Sequence, residues 1–346
     1  MEARFLPEVI GTMPKVELHV HLEGAFTYEF LFGLIQKYGG EERISSVDEL
    51  SRRFVFRDFA HFIETWFWKN RFFRSPADFE ESARLVLKNL SDQNVIYAEA
   101  FFSPWDFVSN GLRVEEITEA TISGMKSAER EFPIRCGLIA DIVRDYGAEA
   151  AEERVRQMAP YLDRGVIGIG LGGNERDFPP ELFQTAFRTA RQLGFRTTVH
   201  AGEASGPASV WNAVTALEAE RIGHGVRASE DHRLLEVLKE KQIPLEVCIT
   251  SNLKTGVYSS VEEHPFDKMF KDGLMLTVNS DDPSMFGSSI TDEFALLVNK
   301  LGYSEEDLIE LTLNAVGSSF LPIDDKRALI GKIFGFWLNG SGDSPG

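Results

Sequence analysis

Short apolar runs alternate with helical patterns along the whole chain, and this alternation restricts the fold more than any other feature. The runs are rich in β-branched residues, are bounded by turns, and occupy residues 15–20, 95–102, 134–143, 165–171, 195–200, 221–225, 244–249 and 274–279. From the second run onward they are separated by amphipathic helical patterns such as residues 180–194. Repeated β and α units of this kind predict an α/β fold in which parallel strands close into a (β/α)8 TIM barrel.

An open, doubly wound sheet has the same alternation and is the main alternative. That fold places a glycine-rich phosphate-binding turn after its first strand, and the sequence HVHLEGAF is no such turn. The interval after the first strand is also too long for a simple crossover, which predicts a helical insertion at about residues 25–90. The aromatic-rich segment 54–73 within it could pack on the barrel or cover the site. We expect residues 1–346 to form one barrel domain with a loose tail at about 339–346.

Composition and charge exclude several classes of partner. With 36 Lys and Arg against 54 Asp and Glu, the formal net charge of -18 opposes binding to nucleic acid. The first residues lack the basic and apolar regions of a signal peptide, and no apolar run approaches the roughly 20 residues that span a bilayer. Cys136 and Cys248 lie in apolar stretches and are expected to be buried thiols. We therefore predict a cytoplasmic protein that does not bind membranes; the sequence does not indicate an oligomeric state.

Histidines fall at the ends of the predicted strands, where barrel enzymes carry their catalytic groups. His19 and His21 are two residues apart near the end of the first strand, so both side chains point to the same face. His200 ends the fifth strand and His224 the sixth. Two neighbouring histidines on a strand can also be satisfied by ordinary hydrogen bonds, but the set as a whole favours a metal site. His61, His232 and His264 lie away from strand ends and are expected to be surface or packing residues.

Carboxylic acids complete the pattern at the same strand ends. Glu203 follows His200 by three residues, and Asp281 and Asp282 follow the eighth strand. Three imidazoles and one carboxylate match the preferences of zinc better than those of magnesium or calcium. A zinc-activated water would supply a nucleophile, and Glu203 is free to act as an acid. An Asp-Asp-Pro stretch can also be a plain turn or helix cap.

Five sequence strings together resemble the adenosine deaminase family of the amidohydrolase superfamily: VELHVHLEGA, HAGE, RIGHG, NSDDP and SSFLP. The resemblance covers about residues 14–322 and implies hydrolytic removal of the exocyclic amine of a purine. It implies one Zn²⁺ per chain, held by residues matching the family's ligands, which are His19, His21, His200 and Asp281.

The same resemblance implies roles for the remaining residues. Glu203 matches the proton donor to purine N1, and His224 matches a water-orienting base or electrostatic partner. Asp282 matches the residue that hydrogen-bonds N7, and Gly173 in GLGGNE matches the glycine whose backbone N–H reaches N3. His21 is expected to border the substrate as well as the metal, and Asp281 to belong to the catalytic set.

The expected substrate is a small 6-aminopurine, with adenosine placed first. Members similar to adenosine deaminase proper read HLDGA, with the Asp near the ribose 5′-hydroxyl, whereas this chain has Glu23 in HLEGA. The aromatic segment and the string PLEVCITSNLKTG resemble a bacterial branch that contains aminodeoxyfutalosine deaminases of the futalosine menaquinone pathway. That nucleoside is the second candidate, and adenine, the substrate of similar adenine deaminases, is the third.

Two further classes remain as alternatives. A binding protein could retain the barrel without catalysis, but every ligand and both acids of the motifs are present here. A two-metal hydrolase would need a bridging group, commonly a modified lysine at the end of the fourth strand, and GIGLGGNE offers none. One metal per chain is therefore the prediction.

Overall fold

The computed structural model describes residues 6–41, 43–57 and 59–339. The loose tail predicted from the sequence lies, from residue 340 onward, outside the described residues. The first five residues, on which part of the prediction about export rested, also lie outside them.

Parallel strands form the centre of the fold, and they follow one another around the sheet in chain order. Across the described ranges they are β1 (Lys15–His21), β2 (Val95–Phe102), β3 (Arg135–Asp141), β4 (Val166–Gly170), β5 (Arg196–Ala201), β6 (Arg221–His224), β7 (Leu245–Val247) and β8 (Leu276–Val278). A parallel bridge between Val20 and Asp281 joins the two ends of this order. The predicted (β/α)8 TIM barrel is confirmed.

Closure of the barrel depends on a side chain as well as on the backbone. Between β8 and β1, the Leu18 N–H donates to Oδ1 of Asn279 at 2.9 Å, while backbone bonds link Asp281 to His19 and His21. The last two strands are shorter than the sequence pattern predicts: β7 spans Leu245–Val247, where residues 244–249 were expected, and β8 spans Leu276–Val278, where residues 274–279 were expected. The chain leaves β7 early because Ile249 begins a helix.

Helices surround the barrel and connect its strands. They are α1 (Leu6–Thr12), α2 (Tyr28–Lys37), α3 (Val47–Ser51), α4 (Phe59–Asn70), α5 (Pro76–Asp92), α6 (Val114–Glu131), α7 (Ala151–Met158), α8 (Gln184–Leu193), α9 (Pro207–Thr215), α10 (His232–Lys241), α11 (Ile249–Lys254), α12 (Phe266–Lys271), α13 (Pro283–Phe286), α14 (Ile290–Leu301), α15 (Glu305–Ser318) and α16 (Ile323–Asn339). Local sequence sets several starts: Ser75 and Asp78 form a capping box with Pro76 at the first turn of α5. Short 3-10 helices occupy Arg52–Phe54, Pro104–Asn110, Arg144–Tyr146, Ala159–Arg164, Pro180–Phe183 and Val226–Glu230.

The insertion after β1 contains α2, α3 and α4 and packs as a second apolar cluster against the barrel. Its buried aromatic side chains include Phe54, Phe62, Trp68, Phe72 and Phe73. These rings pack against one another and on Phe286 of α13, so packing explains most of the aromatic residues. Phe67 is largely exposed, whereas Trp66 turns towards β1. The helices of the described residues include none long and apolar enough to cross a membrane.

Candidate active site

Four residues from three parts of the barrel meet at the carboxyl ends of β1, β5 and β8. The Nε2 atoms of His19 and His21 lie 3.4 and 3.3 Å from Oδ1 of Asp281. Nε2 of His21 and Nε2 of His200 are 3.2 Å apart. The potential ligand atoms of all four lie within 4.8 Å of one another, and the side chains are buried.

This donor set fits a metal ion. Nε2 of His19 is buried without a hydrogen-bond partner, and three imidazoles with one carboxylate are ligands that zinc prefers. Buried nitrogen lone pairs that face one another need a cation or protons between them. Without these, the free-energy cost of removing the nitrogens from water is not offset. The two histidines of β1 also lie on one face, as their spacing predicted.

A buried carboxylate fixes the ring of His19. Oε2 of Glu246 lies 2.8 Å from Nδ1 of His19, so an N–H at that nitrogen leaves Nε2 free to bind a metal. The other oxygen of Glu246 accepts hydrogen bonds from Arg221 and Thr198. Sequence reasoning missed Glu246, because an acid in the middle of the apolar run PLEVCI carries no motif.

An alternative donor group shares part of the same space. His19, His224, Cys248 and Asp281 also have potential ligand atoms within 4.8 Å of one another. Cys248 and Cys136 are both buried and free, as expected. The alternative would replace two imidazoles, those of His21 and His200, by one imidazole and one thiol.

Glu203 lies at the edge of this cluster and is held there by another carboxylate. Its Oε2 is 3.6 Å from Nε2 of His224. Burial, followed by repulsion from Asp281, raises the pKa of Glu203 to about 8, so this acid is protonated near neutral pH. Glu175 accepts hydrogen bonds from the backbone N–H groups of residues 202–205, at distances of 2.5 to 3.2 Å. Glu175 thereby fixes the loop that carries Glu203; it belongs to GLGGNE, but only its proximity in space reveals this contact.

Asp282 lies deep in the site next to Gly24. Its Oδ1 is buried without a hydrogen-bond partner. Burial and then repulsion from Asp281 raise the pKa of Asp282 to about 7. Two neighbours adopt the left-handed backbone conformation that non-glycine residues rarely take: φ is 57° at His224 and 62° at Asp281. Such conformations turn side chains at strand ends and are often found at functional sites.

Gly173 lies in the loop after β4, at the same end of the barrel. Its φ of 92° suits glycine, and a Cβ here would overlap the carboxylate of Asp145. The adjacent Asn174 N–H donates to that carboxylate at 2.9 Å, and the Gly172 N–H donates to Asp141 at 2.6 Å. Two carboxylates, one in β3 and one just after it, thus hold the N–H groups on both sides of Gly173.

The insertion supplies a polar wall beside β1. Glu23 accepts the Ser103 N–H at 2.8 Å through one carboxylate oxygen, and its other oxygen, Oε2, is buried without a partner. Trp66 has its ring 6.2 Å from that of His21 and donates from Nε1 to Asp106. The ammonium of Lys69 lies 3.6 Å above the Trp66 ring. Burial lowers the pKa of Lys69 and raises that of Glu23. Lys69 is a further residue that no sequence motif indicated.

Two more residues that sequence reasoning did not select reach the site through His224. Asn252 in α11 contacts His224, and His264 contacts Asn252. His264 was expected to be a surface or packing residue; it is buried, packs against Tyr258 and also contacts Asn252. Its distance from any strand end along the sequence concealed the contact. His232 is exposed, as expected.

Comparisons with known proteins show the family to which the chain belongs. Residues 14–335 match the family described as adenosine deaminase. The chain is 36% identical over 332 residues to the aminodeoxyfutalosine deaminase of Streptomyces avermitilis, covering 95% of this chain and 93% of the relative.

Solved structures of similar proteins have the same fold. The adenine deaminase of Arthrobacter aurescens superposes with a TM-score of 0.90 at 30% identity, covering 95% of this chain and all of the other. An amidohydrolase from Burkholderia ambifaria with bound zinc has a TM-score of 0.88 at 29% identity, covering 97% of this chain and 93% of the other. From the match over most of its length and from these relatives, the chain belongs to the adenosine deaminase family of the amidohydrolase superfamily.

Proposed function

We propose that this protein is a zinc-dependent hydrolytic deaminase that converts a 6-aminopurine to the 6-oxo product and ammonia. The observation that carries the proposal is the convergence of a three-histidine, one-aspartate donor set with Glu203, a partly buried acid whose pKa is raised to about 8. A metal donor set and a neutral carboxylic acid are the two components that hydrolysis of an aromatic amine needs. The zinc-containing relative supports the choice of metal.

The metal would be held by His19, His21, His200 and Asp281, with one ion per chain. When bound, zinc lowers the pKa of a water molecule and so supplies a nucleophile near neutral pH. Glu246 supports this role by fixing the ring of His19. The alternative group with Cys248 is a poorer candidate, because it leaves the close nitrogens of His21 and His200 without a shared cation.

The chain's own residues would orient the purine and move protons. Glu203 donates a proton to the ring nitrogen N1, which makes C6 more electrophilic. Asp282, with its unpaired Oδ1, contacts N7, and the backbone N–H of Gly173 contacts N3. His224, 3.6 Å from Glu203, orients the attacking water or stabilises developing charge. Asp281 links the metal set to the catalytic set, since its second oxygen lies 3.8 Å from His224.

A nucleoside of the adenosine type is the proposed substrate. Glu23 is held to the barrel by one oxygen, and its other oxygen is buried without a partner. A ribose hydroxyl would donate a hydrogen bond to that oxygen; in free adenine the N9–H is the donor at the corresponding position. Aminodeoxyfutalosine is a second candidate within the nucleoside class, because the Streptomyces relative bears that activity in its name and because Trp66 offers an aromatic surface beside His21. The Arthrobacter relative makes adenine the third candidate.

The test is ammonia release by zinc-quantified enzyme with adenosine, 2′-deoxyadenosine, adenine and aminodeoxyfutalosine side by side. We expect one nucleoside to exceed adenine by about a hundredfold in kcat/KM, which corresponds to about 2.7 kcal/mol. Glu23→Gln should weaken turnover of the nucleoside, because the variant offers the ribose hydroxyl a weaker, uncharged acceptor. A hundredfold preference for adenine would replace the nucleoside proposal, and no turnover of any purine by zinc-loaded enzyme would refute the deaminase.

A further inference from the structure

A chain of hydrogen bonds connects a peptide N–H outside the site to the ring of His224. The Phe266 N–H donates to Nδ1 of His264 at 3.2 Å. Nε2 of His264 lies 3.1 Å from Oδ1 of Asn252. Nδ2 of Asn252 then lies 3.2 Å from Nδ1 of His224. All three side chains are buried.

The donor and acceptor roles along this hydrogen-bond chain are fixed at its outer end, where Phe266 donates to His264. A peptide N–H can only donate, so Nδ1 of His264 must accept and carries no proton. Burial lowers the pKa of His264 to about 4, so the ring is neutral at pH 7. The single ring proton of His264 therefore resides on Nε2, which donates to Oδ1 of Asn252.

The orientation of the Asn252 amide follows from the same argument. If the amide were turned over, its NH2 group would face the N–H of His264, and two donors would meet in a buried site. With Oδ1 towards His264, the NH2 group faces His224 and donates to Nδ1. A neutral imidazole that accepts at Nδ1 has its proton on Nε2.

We propose that Asn252 and His264 are positioning residues that hold the neutral ring of His224 with its proton on Nε2. That nitrogen lies 3.6 Å from Oε2 of Glu203 and 3.8 Å from Oδ2 of Asp281, so the proton points into the site. His224 then enters the reaction as a hydrogen-bond donor. By donating from Nε2, His224 can orient the attacking water or stabilise developing charge. It cannot act as a base there, because Nε2 already carries a proton. The proposal rests on the proposed function only for its effect on turnover.

Backbone hydrogen bonds hold Asn252, the middle residue of the hydrogen-bond chain, in place. The Asn252 N–H donates to the Cys248 carbonyl, and the Asn252 carbonyl accepts from the N–H groups of Val257 and Tyr258. The Tyr258 ring packs on His264 with centroids 4.9 Å apart. The arrangement leaves the Asn252 side chain little freedom to choose another partner, which is the property that a tautomer-setting residue requires.

The first experiment reads the tautomer directly and needs no substrate. Zinc-loaded protein with ¹⁵N-labelled histidine is examined by NMR, in which couplings between ring nitrogens and ring protons distinguish the tautomers; His224→Ala assigns the signals. We expect a neutral His224 with its proton on Nε2. A proton on Nδ1 of His224 in the unaltered protein would overturn the proposal, whether or not the enzyme deaminates a purine.

Variants then test whether the hydrogen-bond chain determines the tautomer of His224 and the rate of turnover. Asn252→Asp replaces the donor by an acceptor at nearly constant volume and should move the His224 proton to Nδ1, with kcat at least about tenfold lower, KM within about twofold and zinc content unchanged. His264→Leu removes the outer donor and should lower kcat, whereas His264→Gln retains a donor and should restore most of it. An unchanged tautomer and kcat in both Asn252→Asp and His264→Leu would refute the proposal. A variant that fails to fold is recognised by its circular dichroism and leaves the other variant and the unaltered protein to decide.

Discussion

A Cβ atom added to Gly24 would overlap Oδ1 of Asp282. Gly24 follows β1 and Asp282 follows β8, so this contact lies across the closure of the barrel. The Gly24 carbonyl also accepts the Ser284 N–H at 3.0 Å, which holds the two loops at this separation. Glycine is therefore required in HLEGA because the carboxylate of Asp282 lies directly against its Cα.

The Gly24→Ala variant should lose activity without losing metal. The added methyl group must displace the carboxylate of Asp282, and a shift of about 1 Å in a substrate-binding group can cost about a hundredfold in rate. Steady-state kinetics and zinc quantification check this expectation. Gly33→Ala is the matched control, since a Cβ at Gly33 in α2 meets no atom within 4 Å. A Gly24→Ala enzyme with kcat/KM within twofold of the unaltered protein would contradict the proposed contact.

Replacing Glu203 by Gln should leave zinc bound and slow turnover by about a hundredfold to ten-thousandfold, the usual contribution of a general acid. The amide retains the shape of the side chain but cannot supply the carboxylic proton. Zinc content and kcat, measured on the same preparation, separate the acid role from metal binding. Glu262→Gln, at an exposed residue, is the control. Turnover by Glu203→Gln within a few-fold of the control would exclude Glu203 as the proton donor.

Glu175→Gln should lower both stability and turnover. The Glu175 carboxylate accepts backbone N–H groups from residues 202–205, and an amide has one acceptor oxygen for them. Leaving a buried donor unpaired costs about 1–3 kcal/mol, so the free energy of unfolding should fall by about that amount. Denaturant unfolding and kcat measure the two effects. If stability falls while kcat stays unchanged, Glu175 supports the fold without positioning Glu203.

Metal content should separate the two possible ligand sets. We expect His200→Ala and Asp281→Ala to lose most of the zinc and Cys248→Ala to retain about one ion per chain, because only the first two remove a ligand of the proposed site. Metal analysis after dialysis gives the answer without an activity assay. Zinc retained by His200→Ala and lost by Cys248→Ala would transfer the site to the group of His19, His224, Cys248 and Asp281.

The sequence by itself predicted the barrel, because eight β/α repeats allow few ways to bury the strands, and it placed the candidate site histidines and acids at or just after strand ends. The spacing of His19 and His21 already required a shared face. The predicted bounds of β7 and β8 were wrong. A helix begins soon after β7, and just after β8 a hydrogen bond to the Asn279 side chain replaces the regular backbone ladder.

Only the tertiary structure identified the residues that act through others. Glu246, Glu175, Asn252 and His264 lie far along the chain from the groups they contact, and single acids, amides and histidines have no local pattern that distinguishes them. Their contacts exist because the barrel brings the ends of separate strands to one point. Local sequence determines which elements form and where they end, whereas the partner of a buried polar side chain is set by the packing of elements distant in the chain.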